Sequence, residues 1–328
     1  MALVRISELD ASTQRKAGGD SSIDRDEEGR PRLLTECWLC NGEGRRPSPT
    51  GIEGRTVKCQ GCKGEGVREK TYKRVTSFID VLEDKSFVQA WSERMVLIGI
   101  AEDTSFLRGV LDVNPETREG RDLLNRRTKA AKEVGGANRK SDQGTHLHDL
   151  SEAVDRREAL PEGLPDADVL DMVAYAEATH PFFKIVHMEE LVVNEQLGTA
   201  GTPDRVSSWV GEGDLIAPDG TVIAPDDLLI TDLKTGRVDF GGLKMAMQLS
   251  IYSRSKLNVK GTHIRADMNN VNQKWGIIMH LPAGSGKCDL YWADLSLGWT
   301  AVGVACDVHE MRKQGKSALI PLSFRTDK

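Results

Sequence analysis

Four of the six cysteines form a doubled motif, which constrains the fold more than any other feature of this sequence. Both halves have the form CxxCxGxG, and they read Cys37-Trp-Leu-Cys40-Asn-Gly-Glu-Gly44 and Cys59-Gln-Gly-Cys62-Lys-Gly-Glu-Gly66. Two CxxC pairs at this separation can supply the four thiolates of a tetrahedral zinc site. The glycines allow tight turns, so that amide groups can point at the sulfur atoms. The pattern predicts a small zinc ribbon with Zn²⁺ bound by Cys37, Cys40, Cys59 and Cys62.

The repeated motif resembles the zinc-binding region of the DnaJ chaperone family. Two of that family's four repeats are present and nothing resembles its His-Pro-Asp domain, so the resemblance implies zinc knuckles and not chaperone activity. Nine basic residues surround the motif: Arg45, Arg46, Arg55, Lys58, Lys63, Arg68, Lys70, Lys73 and Arg74. Such cations favour contact with phosphate groups. The module therefore either stabilises the fold and has no further function, or it is a ribbon that binds DNA or a partner.

The composition limits the class of protein. The chain has 328 residues, is 39% hydrophobic and carries a net charge of −6. An acidic total argues against a generic nucleic-acid coat protein, whereas an enzyme that binds nucleic acid needs only a locally positive surface. No run of eighteen apolar residues predicts a transmembrane helix, and the N-terminus has no apolar segment typical of a signal peptide. From these patterns we expect a cytoplasmic protein.

Composition and periodicity divide the chain into four predicted segments. Residues 1–30 are polar and are predicted to be a disordered tail, 31–70 form the cysteine module, 71–143 are helical and basic, and 144–328 form the main core. A cluster of cations in the third segment is either a solvated helix face or a track for a DNA backbone. Its members are Arg118, Arg121, Arg126, Arg127, Lys129, Lys132, Arg139 and Lys140.

The apolar periodicity predicts a mixed α/β core. In the basic segment, Thr76-Ser77 is predicted to cap a helix that continues to Met95, and a second helix is predicted from Gly144. From residue 185 the period becomes extended, with strands predicted over 185–193, 204–210, 228–233, 276–281 and 290–292. Helices are predicted over 242–257 and 299–313. Helices, then a meander of strands, then a helix packed on the sheet indicate a mixed α+β architecture.

Three charged residues on neighbouring predicted strands suit phosphodiester hydrolysis. Asp204 begins one strand, and Asp232 and Lys234 lie two apart on the next, so the latter two project from one face. Carboxylate oxygens are preferred ligands of Mg²⁺, and the Leu233 carbonyl would turn toward the metal. A divalent ion activates the attacking water, and a lysine can stabilise the developing negative charge. Singly, each residue could equally be an ordinary turn or strand-end residue.

Four motifs in order resemble the PD-(D/E)XK nuclease superfamily. Asp204 and the Asp232-x-Lys234 pair match its general pattern. Three further matches resemble its RecB-like exonuclease branch: Gly144-x-x-x-His148-x-x-x-Glu152, Gly201-x-Pro-Asp-Arg205 and Gln248-x-x-x-Tyr252. The resemblance covers residues 144–295, close to half of the chain. Some RecB-like nucleases hold an iron–sulfur cluster, but its cysteines flank the core on both sides, so the tandem upstream cysteines here favour zinc.

The resemblance implies a restriction-endonuclease-like core sheet flanked by helices, and Mg²⁺- or Mn²⁺-dependent hydrolysis of DNA. His148, Asp204 and Asp232 would be metal ligands and Lys234 the catalytic lysine. Gln248 and Tyr252 would contact DNA or buttress the site. Either Glu189 or Glu190 would add a further acidic group, and the sequence does not choose between them.

The function that follows is an exonuclease acting in DNA recombination, repair or replication, in the host cytoplasm if the protein is phage-encoded. Gly284-Ser-Gly-Lys287 lacks the P-loop pattern, so any unwinding would come from a helicase or recombination partner. Two alternatives stay open. One is a structure-specific endonuclease on the same core, and the other is a non-catalytic, zinc-dependent DNA-binding or scaffold protein.

Overall fold

The computed structural model describes residues 23–49 and 54–320, which form two compact units. One unit contains the described residues up to Leu82 and those from Ala153 onwards, and the other spans Glu83–Glu152. The described residues form seven α-helices and several β-sheets, which confirms the mixed α/β class. The four predicted segments remain a prediction, and residues 1–22 of the predicted tail lie outside the described residues.

The strands and helices are numbered in chain order. The strands are β1 Arg32–Glu36, β2 Arg45–Pro47, β3 Thr56–Lys58, β4 Val67–Thr71, β5 Lys73–Arg74, β6 Phe183–Met188, β7 Val192–Asn194, β8 Thr199–Gly201, β9 Arg205–Trp209, β10 Leu215–Ile216, β11 Val222–Ile223, β12 Leu228–Lys234, β13 Lys256–Asn258, β14 Arg265–Ala266, β15 Trp275–His280 and β16 Asp289–Asp294. The helices are α1 Val75–Ile79, α2 Ser86–Glu102, α3 Arg118–Val134, α4 Arg139–Asp155, α5 Asp166–Thr179, α6 Gly242–Tyr252 and α7 Leu295–Gln314.

A five-stranded sheet with the order β16-β15-β12-β9-β6 forms the centre of the larger unit. All its neighbours are antiparallel except β12 and β15, which are parallel. Parallel neighbours need a crossover connection, and α6 supplies it between β12 and β15. The strands are therefore not a simple meander. Apolar side chains of α6, α7 and this sheet share one buried cluster, which includes Ile230, Leu249 and Val302.

Close contact between α6 and α7 depends on one glycine. A Cβ atom at Gly298 of α7 would lie 2.3 Å from the carbonyl oxygen of Ala246 in α6. No side chain can be accommodated at that distance without displacing backbone. The two helices therefore approach each other more closely at this point than side-chain packing would allow.

A second five-stranded sheet has the order β14-β13-β7-β8-β5. The cysteine module packs beside it through the β1–β4 hairpin. Tyr72 and Leu33 share a buried apolar cluster with Val193 and Ala200 of this sheet. Because β5 follows β4 directly and pairs with β8, the module is continuous with the core of the larger unit.

The Glu83–Glu152 unit contains α2, α3 and most of α4. Two glycines allow α2 and α3 to pack backbone against backbone. A Cβ atom at Gly99 would lie 1.7 Å from the carbonyl oxygen of Ala131, and one at Gly135 would lie 2.1 Å from that of Met95. The Thr117 hydroxyl caps α3 by accepting from the amide of Gly120 at 3.1 Å.

Four local predictions are wrong. The helix predicted from Gly144 begins at Arg139, and the helix predicted over 242–257 ends at Tyr252, because Lys256–Asn258 forms strand β13. The helix predicted from Thr76-Ser77 begins at Val75, is uncapped by a side chain, and ends at Ile79 before α2 begins at Ser86. The single strand predicted over 185–193 is two strands in different sheets, β6 and β7. The chain turns between them at Glu189, whose φ of 53° lies in the left-handed region, and extended pairing cannot continue through that conformation.

Candidate functional site

The register of two central strands brings the two predicted aspartates to the same place. In the antiparallel pair β9–β12, Arg205 is opposite Thr231. Asp204, one residue before β9, therefore lies at the level of Asp232. The Asp204 carboxylate Oδ2 accepts a hydrogen bond of 2.7 Å from the backbone amide of Leu233. This bond joins the turn before β9 to the end of β12 that carries Asp232 and Lys234.

Asp232 lies at the centre of the cluster, and its side chain is only 1% exposed. Its Oδ2 forms an ion pair with Nζ of Lys234, as the spacing of two residues along a strand predicts. Its Oδ1 accepts from the Gln248 side-chain amide at 3.2 Å. A buried carboxylate is thus held between a cation on its own strand and an amide on the crossover helix.

Gln248 and Tyr252 lie one turn apart on α6. The Gln248 Nε2 group is 3.4 Å from the Tyr252 hydroxyl, and Tyr252 is almost fully buried. Because α6 follows β12 directly in the chain, its inner face lies over the strand that carries Asp232. The structure therefore gathers Asp204, Asp232, Lys234, Gln248 and Tyr252 into one cluster, although their roles stay predictions.

The electrostatics of the cluster favour a cationic lysine and a neutral tyrosine. Burial alone would lower the pKa of Lys234, but the negative charges of Asp232 and Asp204 outweigh it, so this pKa lies above its ordinary value. Burial, followed by the charges of Asp232, Asp204 and Glu189, raises the pKa of Tyr252 well above its usual range. Lys234 is therefore charged, and Tyr252 keeps its phenolic proton, at neutral pH.

The structure distinguishes between the two glutamates that follow β6. The backbone amide of Glu189 donates to the carbonyl oxygen of Asp204 at 3.1 Å, and the charge of Glu189 acts on Tyr252. Glu190 is exposed, and its carboxylate is 3.1 Å from Nδ1 of His187. Glu189 is therefore the acidic residue associated with the cluster. The sequence contains no signal for this choice, because it depends on the left-handed backbone at Glu189.

His148 and Leu233 are the other two metal ligands that we predicted for this site. His148 lies on α4 within the Glu83–Glu152 unit, where its side chain is partly buried, and its role as a ligand stays a prediction. Leu233 lies between Asp232 and Lys234 on β12 and is fully buried. Its amide group bonds Asp204, while the role of its carbonyl group stays a prediction.

A buried ionic network next to Asp204 was not predicted from the sequence. Arg205 is 2% exposed, and its Nε donates to Oδ2 of Asp155 at 2.5 Å. The Tyr175 hydroxyl donates to the same oxygen at 2.9 Å, and Nε2 of His180 is 3.3 Å from the other oxygen. The network anchors the first residue of β9, which is bonded covalently to Asp204. Only the motif around Arg205 could have pointed to it, because Asp155 and Tyr175 carry no recognisable pattern.

The four predicted cysteines converge on one point. Their sulfur atoms all lie within 4.8 Å of one another, and all four residues are buried. Of the described residues, these four alone form a group of three or more His, Cys, Asp or Glu ligand atoms as close as this. Four thiols in this arrangement could bind a metal ion such as zinc, as the motif predicts.

Backbone amides surround the cysteine sulfur atoms. Gly44 donates to Sγ of Cys40 at 3.3 Å, and Gly66 donates to Sγ of Cys62 at 3.2 Å. Burial raises the pKa of the Cys40 thiol, whereas the amides of Gly66 and Gly64 hold the pKa of the Cys62 thiol below its ordinary value despite burial. Thiolate is the form that binds zinc, so these amides favour metal binding.

Polar contacts join the cysteine module to the second sheet. Glu195 accepts from the Tyr72 hydroxyl at 2.6 Å and from Nζ of Lys70 at 2.9 Å. Arg265 of β14 donates to the carbonyl oxygen of Leu34 at 2.9 Å. These bonds hold the β1–β4 hairpin against the core of the larger unit.

No model of a known protein family matches this chain, and a search of curated proteins also found no match. Among the described residues, no helix is both long enough and apolar enough to cross a membrane.

Proposed function

We propose that this chain is a metal-dependent DNA nuclease with a PD-(D/E)XK core of the RecB-like exonuclease type. The observation that carries the proposal is the environment of Asp232. This buried carboxylate contacts both Lys234 and Gln248, and Asp204 bonds the adjacent amide of Leu233. Residues from three separate motifs, which the resemblance links to one active site, meet at this carboxylate or at the amide next to it.

The donor set fits Mg²⁺ or Mn²⁺. Asp204 and Asp232 supply hard carboxylate oxygens at the ends of neighbouring strands. The charge of Glu189 acts on Tyr252, as the charges of these two aspartates do. Mg²⁺ in hydrolytic sites keeps several waters and needs only one or two protein carboxylates. When bound there, a divalent ion would activate water and neutralise phosphate charge.

The remaining side chains have distinct tasks in this proposal. Lys234 keeps its positive charge beside Asp232, so it can stabilise the negative charge that develops on the phosphate oxygens. Gln248 donates to Asp232 and thereby orients the carboxylate. Tyr252 remains a neutral phenol that supports Gln248 from the same helical face. The substrate class is DNA, and the chain's place would be recombination, repair or replication.

The test is a cleavage assay on end-labelled linear DNA and closed circular DNA, with and without Mg²⁺ or Mn²⁺. We expect metal-dependent loss of linear DNA only, and loss of activity by at least about 100-fold in Asp232→Asn and Lys234→Met, the range for removing one transition-state contact. The control variants are Glu190→Gln and Lys184→Met, which remove an exposed carboxylate and an exposed lysine at or near β6. Both should keep activity.

Each other outcome has a definite meaning. Cutting of closed circles would replace the exonuclease with an endonuclease on the same site. Equal activity of Asp232→Asn and the unchanged chain would place catalysis elsewhere. Absence of cleavage on every DNA and RNA substrate with either metal would overturn the nuclease proposal and favour a scaffold protein.

A further inference from the structure

The two halves of the cysteine module repeat each other in three dimensions, with an offset of 22 residues. Cys37 donates its amide to the carbonyl of Gly66 at 2.8 Å, and Cys59 donates to the carbonyl of Gly44 at the same distance. The strand pairs repeat as well, because β1 pairs with β4 as β2 pairs with β3. Every position in the first half therefore has a structural equivalent in the second.

One pair of equivalent positions breaks this symmetry in side-chain type. Trp38 follows the first cysteine of one half, and Gln60 follows the first cysteine of the other. Both side chains are exposed, Trp38 to 65%. All six tryptophans lie within the described residues, and the other five are partly buried. Because glutamine occupies the equivalent position, neither the knuckle backbone nor the cysteine cluster requires an aromatic residue there.

An arginine accompanies the exposed tryptophan. The guanidinium carbon of Arg68 lies 5.5 Å from the centre of the Trp38 ring, and the buried Nε of Arg68 has no hydrogen-bond partner among the described residues. Arg68 faces Thr35 across β1–β4, and Arg46 faces Val57 across β2–β3. Arg46 is therefore the equivalent of Arg68, but within residues 23–49 and 54–320 no aromatic ring lies under its guanidinium as Trp38 lies under that of Arg68.

The charge around this pair is positive. Residues 31–70, the cysteine module, contain eight basic and five acidic side chains. The segment keeps a net positive charge even with the two negative charges of a zinc ion bound to four thiolates. An exposed aromatic ring in a basic setting matches single-stranded nucleic acid, whose unpaired bases stack on aromatic side chains while cations contact the backbone.

We propose that Trp38 and Arg68 form a stacking platform for single-stranded nucleic acid on the zinc module. An unpaired base stacks on the Trp38 indole, and Arg68 contacts the adjoining phosphate. Duplex DNA offers no such base, so the platform selects an unpaired end or strand. This binding site lies in the cysteine module and does not depend on cleavage at Asp232.

The test measures binding of fluorescently labelled oligothymidylate to the full zinc-loaded chain by anisotropy, without added Mg²⁺ or Mn²⁺. Every chain in this test also carries Asp232→Asn, so that binding is measured without cleavage of the probe. Trp38→Gln installs the residue that the second half already has, and it should weaken binding roughly 5- to 100-fold, the range for losing one stacked base. Gln60→Ala, the matched control at the equivalent position, should leave affinity within about two-fold.

A second pair separates stacking from simple attraction of charge. Arg68→Gln should weaken binding clearly more than Arg46→Gln, although both remove one cation from the same module. Zinc content, measured for every variant, should equal that of the unchanged chain. Unaltered affinity of Trp38→Gln for oligothymidylate would overturn the proposal, and so would equal losses in the two arginine variants. A chain that binds normally but cleaves nothing would refute the proposed nuclease and leave the platform intact.

Discussion

Replacing Lys234 with methionine should destabilise the larger unit by removing the lysine that pairs with the buried Asp232 carboxylate. The Asp232 side chain is 1% exposed and that of Lys234 is 27% exposed. Breaking a buried ion pair by removing one partner costs about 3–5 kcal/mol. Because Lys234 retains some contact with water, we expect the lower limit, about 3 kcal/mol. Lys184→Met, which removes an exposed lysine of β6, should change stability by no more than about 0.5 kcal/mol.

The assay is thermal unfolding of the zinc-loaded chain at neutral pH. A loss of about 3 kcal/mol corresponds to a fall of roughly 6–12 °C in the unfolding midpoint for a unit of this size. Midpoints for Lys234→Met and Lys184→Met that differ by less than about 2 °C would refute the view that Lys234 compensates the buried charge of Asp232.

Divalent metal adds a second measurement to the same variant. If the cluster binds Mg²⁺, a concentration about 100 times the dissociation constant contributes about 2.7 kcal/mol. That gain would offset most of the stability that Lys234→Met loses, because the bound ion would replace the cation beside Asp232. Divalent metal should therefore raise the unfolding midpoint of Lys234→Met more than that of the unchanged chain. No response to Mg²⁺ or Mn²⁺ in either chain would count against a metal site at Asp232.

The pH dependence follows from the raised pKa of Lys234. A cation whose pKa is higher in the folded state contributes stability that is complete below the unfolded pKa, near about 10.4. That contribution is lost as the pH rises through the higher folded value. The difference in midpoint between the unchanged chain and Lys234→Met should therefore stay constant from about pH 7 to 9 and shrink only above that range.

Three further predictions concern other parts of the larger unit. Gly298→Ala should cost about 1–3 kcal/mol, because its Cβ would meet the backbone of α6, whereas Gly303→Ala on the same helix meets nothing and should be neutral or stabilising by thermal unfolding. Asp155→Asn should cost about 3 kcal/mol or more, because it removes the carboxylate charge that pairs with the buried Arg205. A cost no larger than about 0.5 kcal/mol, the range of a surface substitution, would contradict this prediction. Cys37→Ser should abolish stoichiometric zinc, measured by elemental analysis, and retention of one zinc per chain would contradict a four-cysteine site.

Local features of this protein followed from the sequence because their causes are local. The cysteine cluster was predictable, since a few residues of each knuckle carry both the ligands and the glycines that turn the chain. The strands at 205–209, 228–234 and 275–280 and the helix at 242–252 were predictable from apolar periodicity. The shared face of Asp232 and Lys234 followed from the alternation of side chains along one strand.

Other features needed information that no local pattern contains. Glu189 adopts a left-handed conformation that divides the predicted strand, although glutamate has no preference for it. The parallel pairing of β12 with β15 depends on how α6 crosses the sheet. The partnership of Asp155 with Arg205 joins residues 50 positions apart.

The sequence by itself determined which residue types are present, their order, and the geometry within each knuckle and strand. Only the tertiary structure decided which of them meet. Asp204 reaches the level of Asp232 through the register of β9 on β12, and Gln248 reaches it through the direction of α6. Register and helix direction are set by the burial of whole faces of the sheet, a collective property of many side chains that the residues of a single motif do not carry.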